Sequence, residues 1–85
     1  MKVQFTTHGH TIKLVCPRTD FGSAQVFYDG ELIFKRRGRS SLHVFERVED
    51  GETVNYDVDF GHVYGVIRPN YIVVRRNGLV IFSNK

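Results

Sequence analysis

The stretch Tyr71–Asn84 reads YIVVRRNGLVIFSN, and the Asn77-Gly78 pair at its centre decides the fold. Asn-Gly between two apolar runs is the strongest short-range signal for a β-hairpin, because a two-residue type I′ turn needs positive φ at both central positions. A turn there sets Val74 opposite Ile81 and Val73 opposite Phe82. The two pairs point to opposite sides, so both faces of this hairpin read as apolar. That pattern fits a strand pair covered on both sides or lying in an interface.

Working outward, the same signal recurs. Asp29-Gly30 closes AQVFY-DG-ELIFKRR and sets Phe27 opposite Leu32 and Val26 opposite Ile33. Further upstream, His8-Gly9 separates two alternating runs and pairs Phe5 with Ile12, Gln4 with Lys13 and Val3 with Leu14. Apolar meets apolar and polar meets polar, so side chains and turn agree on the register. The remaining hairpin, SSLHVFERV-EDG-ETVNYDVDF, admits two loops. A two-residue loop at Asp50-Gly51 sets Val44 opposite Asp57 and Leu42 opposite Asp59. A three-residue loop over Glu49-Asp50-Gly51 instead gathers Leu42, Val44, Val48, Val54, Tyr56 and Val58 on one face. The hydrophobic pattern selects the three-residue loop.

No segment carries a helical period of ten residues or more. Pro17 and Pro69 fall in the connections 17–23 and 61–70, where they break no ladder. Four hairpins predict an all-β chain: a small antiparallel β-sandwich or barrel-like meander of about eight strands. Eighty-five residues make one domain, 1–85, with a small core, and two sheets of three to five strands suit that size. Without shared residue identities between the hairpins, the reading assigns no internal repeat.

Apolar residues are 41% and charged residues 25%, a globular composition. No apolar run reaches the roughly 18 residues of a membrane span, and MKVQFTTHGH lacks the apolar stretch of a signal peptide. Cys16 is the single cysteine, which excludes an internal disulfide. The expectation is a cytoplasmic protein with no membrane partner.

Charge is uneven. Residues 46–59 hold six acids (Glu46, Glu49, Asp50, Glu52, Asp57, Asp59) against Arg47, in a chain with 12 Lys and Arg and 9 Asp and Glu. The basic residues concentrate at Lys35, Arg36, Arg37 and Arg39, with Arg75 and Arg76 beside the last turn. Arginine holds phosphates and carboxylates with paired hydrogen bonds. These six therefore form a candidate polyanion or nucleic-acid surface, with aromatic residues Phe34, Tyr28 and Tyr71 nearby for base stacking. The bland alternative is a solvated strand end that protects a sheet edge.

Catalytic chemistry finds little support. His8 and His10 straddle a turn that separates their directions, and zinc would need further ligands from His43, His62, Cys16 or the acids. Cys16 follows Ile12 and Leu14 at strand spacing and reads as a small buried hydrophobe. Asp57, Asp59 and Asn55 read as the polar face of a half-buried strand. The connection 61–70 places His62 and Tyr64 between glycines, which makes them loop ligand candidates. Phosphate-binding glycine loops are absent. The reading therefore assigns no catalytic residue, metal or cofactor. It predicts a non-enzymatic protein-interaction or self-association module, a homodimer being its simplest form. The expected interface is Tyr71, Val73, Val80 and Phe82, with Arg75 at the rim. Nucleic-acid binding is the alternative function.

Overall fold

The computed structural model describes residues 1–62 and 70–85. Eight strands follow in chain order: β1 (Lys2–Thr7), β2 (His10–Val15), β3 (Ser23–Tyr28), β4 (Glu31–Arg37), β5 (Ser41–Glu49), β6 (Glu52–His62), β7 (Asn70–Arg76) and β8 (Leu79–Ser83). They form two four-stranded antiparallel sheets, β1-β2-β3-β4 and β5-β6-β7-β8, in which every strand lies beside its neighbour in sequence. The expected all-β architecture of four hairpins is present. The chain divides into two compact units, Met1–Ser41 and Leu42–Lys85, one for each sheet. Among the described residues, no helix is long and apolar enough to cross a membrane.

All four corners are two-residue turns with both residues at positive φ: His8-Gly9 (51° and 80°), Asp29-Gly30 (49° and 84°), Asp50-Gly51 (52° and 80°) and Asn77-Gly78 (50° and 83°). This is the type I′ geometry, whose twist matches that of the strands it joins.

In the first sheet β1 and β2 pair as the side chains predict, with Phe5 opposite Ile12 and Val3 opposite Leu14. Ile12, Leu14, Ala24, Val26 and Tyr28 then share one buried face. Met1 extends this ladder, exchanging backbone hydrogen bonds with Cys16. The β3–β4 pairing corrects one expectation. Phe27 does lie opposite Leu32, but Val26 lies opposite Phe34 and not Ile33. Ile33 is the extra residue of a β-bulge, so the register shifts by one beyond it.

The second sheet repeats this plan. Arg76 pairs with Leu79 and Arg75 with Val80, after which the register shifts. Val74 therefore faces Phe82 and Val73 faces Ser83, so the expected pairs Val74–Ile81 and Val73–Phe82 are displaced by a bulge at Ile81. Contrary to the expectation that the hairpins share no residue identities, the two bulged strands share a sequence, Gly-x-(Leu/Val)-Ile-Phe, at Gly30–Phe34 and Gly78–Phe82. Their corners share an anchor as well. Asp29 N–H donates to the Thr11 carbonyl (2.8 Å) and its carboxylate accepts from Thr11 N–H (2.9 Å). Asn77 repeats both bonds with Asn55, at 2.7 and 2.9 Å. In each unit the turn side chain replaces a missing backbone carbonyl and carries the ladder one step past the strand end.

The β5–β6 hairpin overturns the three-residue loop. β5 ends at Glu49 and β6 starts at Glu52, leaving Asp50-Gly51 as the whole loop. His43, Phe45 and Glu49 are buried, whereas Leu42, Val44 and Val48 are exposed. Val54, Tyr56 and Val58 are buried as expected.

Replacing Gly51 by Ala forces an L side chain to +80° φ in otherwise open space. Urea unfolding is expected to show a loss of about 1 kcal/mol from backbone strain alone.

Candidate interaction surface

On the buried face of the second sheet, three strands meet in a polar cluster. The Tyr56 hydroxyl donates to one carboxylate oxygen of Glu49. Arg76 donates to the other through Nη2 (2.8 Å) and Nε (3.3 Å). Tyr56 and Arg76 are register partners across β6 and β7. The Phe45 ring stacks on Tyr56, with centroids 5.1 Å apart, and His43 meets Phe60 edge-on at 5.7 Å. Burial, and then the hydrogen bond to the Glu49 carboxylate, push the Tyr56 phenol up to about 12. The group satisfies its own hydrogen-bonding needs, so its chemistry is that of a structural pin.

The opposite, open face of this sheet holds the unexpected feature. Leu42, Val44 and Val48 expose 59, 61 and 72% of their surface along β5, an outermost strand of its sheet. A two-residue turn makes its flanking residues exchange both hydrogen bonds, and bonding alternates from there. On β5, N–H and C=O of the even-numbered residues 42 to 48 therefore point away from β6. One outward carbonyl is capped: Arg47 Nη1 donates to Glu46 O at 2.9 Å, with its guanidinium 5.6 Å from the Phe45 ring centre. Glu46, Arg47, Val48 and Thr53 line a shallow hollow at the turn end of this strand. The hydrophobic pattern sets these three aliphatics on one face with Val54, Tyr56 and Val58, and the corner geometry separates them and sends them outward.

The interface residues expected from sequence divide between two faces. Tyr71, Val73 and Arg75 lie on the open face of β7, and Val80 joins them as the partner of Arg75. Tyr71 sits over Gly61, its register partner, where an added Cβ would fall 1.9 Å from the ring. The Lys85 ammonium lies 4.8 Å from the Tyr71 ring centre. Val73 is buried, Arg75 pairs with Asp57 at 3.1 Å, and Val80 is exposed. Phe82 is opposite Val74, so it belongs to the other face and leaves this surface.

Three of the six candidate polyanion residues already hold carboxylates. Arg39 contacts Asp20 through Nε (3.1 Å) and Nη2 (3.3 Å), Arg75 contacts Asp57, and Arg76 contacts Glu49. Lys35, Arg36 and Arg37 are exposed on β4.

The remaining chemical candidates are dispersed. His10 Nδ1 lies 2.7 Å from Asp29 and its ring stacks on Tyr28. That bond and the Thr11 N–H hold the Asp29 carboxyl below its usual range. His8 contacts Thr7, and His62 contacts Asn70 as its strand partner. His62 is thus the end of a strand, while Tyr64 lies outside the described residues. Among the described residues, no three His, Cys, Asp or Glu side chains assemble as a metal site. Cys16 is buried, which pushes its thiol up and away from thiolate chemistry.

Comparison of the chain with protein-family models, with curated proteins and with solved structures finds no match.

Two outcomes follow from the polar cluster. Glu49→Ala leaves the Tyr56 hydroxyl and the Arg76 guanidinium without their acceptor and is expected to cost roughly 2–4 kcal/mol in denaturant unfolding. Tyr56 is raised on folding from 10.0 to about 12, so the neutral phenol stabilises the fold fully below pH 10. That contribution is lost as pH climbs from there towards about 12. Ultraviolet titration should show one phenol ionising only as the protein unfolds in that window.

Proposed function

We propose that this protein is a non-enzymatic interaction module that self-associates by pairing β5 with β5 of a second copy. One observation carries the reading: Leu42, Val44 and Val48 stand exposed in a row on an outermost strand whose alternate backbone groups point outward. Such an edge is a template for strand addition. An antiparallel pairing centred on Phe45 keeps the open faces continuous. It sets Leu42 beside the partner's Val48, and the two-fold axis repeats that contact. Pairing shields these aliphatic side chains only along the new strand boundary, for a part of the about 1.5–3 kcal/mol of full burial, against roughly 4–15 kcal/mol for lost freedom. The balance describes weak, concentration-dependent association.

Arg47 opposes it. Its guanidinium occupies the Glu46 carbonyl that a new strand would need, and this arginine acts as a gatekeeper on the edge. The ion-paired state of Arg39, Arg75 and Arg76 supports this reading over the six-residue polyanion surface. A single unpaired thiol suits the cytoplasm, where we place the protein.

Sedimentation velocity over a micromolar concentration series tests the proposal. The wild type is expected to show a monomer–dimer equilibrium, weakened about 100-fold by Leu42→Asp with Val48→Asp. Arg47→Ala is expected to tighten it. A wild type that stays monomeric throughout overturns the proposal.

A further inference from the structure

The first sheet has an open face of a different character. Strand alternation and the β4 bulge bring Lys2, Lys13, Lys35 and Arg37 to the side opposite Ile12, Leu14 and Val26. No strand residue of this face is a carboxylate. Glu31 pairs with buried Tyr28 and so belongs to the other side, and Asp29 lies in the turn. Phe27 sits among the cations, only partly exposed, with the Lys13 ammonium 5.3 Å from its ring centre. Gln4 and Gln25 add amide groups beside Lys13 and Lys35, their register partners. The row from Lys2 across Val15 and Gln25 to Lys35 spans the whole sheet, roughly 14 Å at ordinary strand spacing.

We infer that this face binds single-stranded nucleic acid, with Lys2, Lys13, Lys35 and Arg37 holding phosphates and Phe27 stacking on a base. Each part has a separate reason. Acid-free clustering of cations attracts a polyanion and repels nothing in it. An aromatic ring on a sheet among cations and amides suits an unpaired base, because every base has a face to stack and duplex bases are not available for it. The sequence obscured this set, since its members lie on four strands and the densest basic run mixes faces: Arg36 pairs with buried Ala24 and points to the other side.

The inference is independent of self-association, which involves the second sheet. Fluorescence anisotropy with a labelled oligouridylate of about 12 nucleotides tests it. Four phosphate contacts predict that log K falls against log salt with a slope of about −3. Lys13→Glu with Lys35→Glu is expected to weaken binding at least tenfold and flatten that slope by about 1.4. Phe27→Ala should weaken binding about tenfold and leave the slope unchanged, whereas Phe27→Tyr should keep the affinity. Arg18→Glu, outside this face, should change little. Absence of binding at low salt overturns the inference. So does equal affinity for heparin or duplex DNA together with indifference to Phe27→Ala, which describes simple ion exchange. Loss of self-association, and not of oligonucleotide binding, in the double charge reversal would assign the face to a second copy instead.

Discussion

Eight residues at four corners carry positive φ, and the surfaces of both sheets follow from them. A two-residue turn leaves no slack, so the first pair after it is fixed and strand alternation fixes every later side chain. The strength of this constraint shows at Asp50-Gly51. Hydrophobic counting alone would turn Leu42, Val44 and Val48 inward by adding one residue to the loop. The corner keeps its two residues, and the aliphatics go to solvent. What the register gains is a different set of contacts: Phe45 on Tyr56, His43 against Phe60, and a carboxylate for Arg76.

The Glu49–Tyr56–Arg76 cluster explains why that register holds uniquely. A buried carboxylate is costly to desolvate, and its ion pair returns little net stability. Its value lies in intolerance of error. A slip of one residue on β5 would leave Glu49 outside and strand the Tyr56 hydroxyl and the Arg76 guanidinium on the buried face. Each would then lose an acceptor inside a low-dielectric region. Three strands are thereby keyed to one another by a single side chain, where aliphatic packing alone would tolerate sliding.

Much of this was legible in the chain. The two-residue corners at His8-Gly9, Asp29-Gly30 and Asn77-Gly78, the eight strands and the β1–β2 register were written in local patterns, whereas the loop length at Asp50-Gly51 was not. Two further kinds of feature were not. A bulge adds one residue without interrupting an apolar run, so Leu32-Ile33-Phe34 and Val80-Ile81-Phe82 look like strands apolar on both faces. In the structure the middle residue of each run is the bulge and its neighbours face opposite ways. Charge pairing was equally hidden, because the partners are far apart in sequence. Arg76 reaches Glu49 across 27 residues, and Arg39 reaches Asp20 across 19. Read in one dimension, these arginines looked like members of an unpaired basic cluster. Lys2, Lys13 and Lys35 looked unrelated, yet they share a face.

The two units repeat one construction, down to the Asp29 and Asn77 anchors and the bulged Ile33 and Ile81, but not one surface. The buried positions in both are dominated by aliphatic and aromatic side chains, with the Glu49 cluster the main departure. The open positions differ in charge: the first sheet sets Lys2, Lys13, Lys35 and Arg37 around Phe27 and Leu32, and the second sets Leu42, Val44 and Val48 with Glu46, Asp57, Asp59 and Arg75. A turn, a bulge and an anchor constrain only the backbone and the side chains that face inward, so nothing in the repeated plan dictates what the open faces display. Their divergence is therefore where differences in binding have to reside. The strand addition we propose at the β5 edge and the phosphate binding we infer on the acid-free face of the first sheet are separate uses of the same meander.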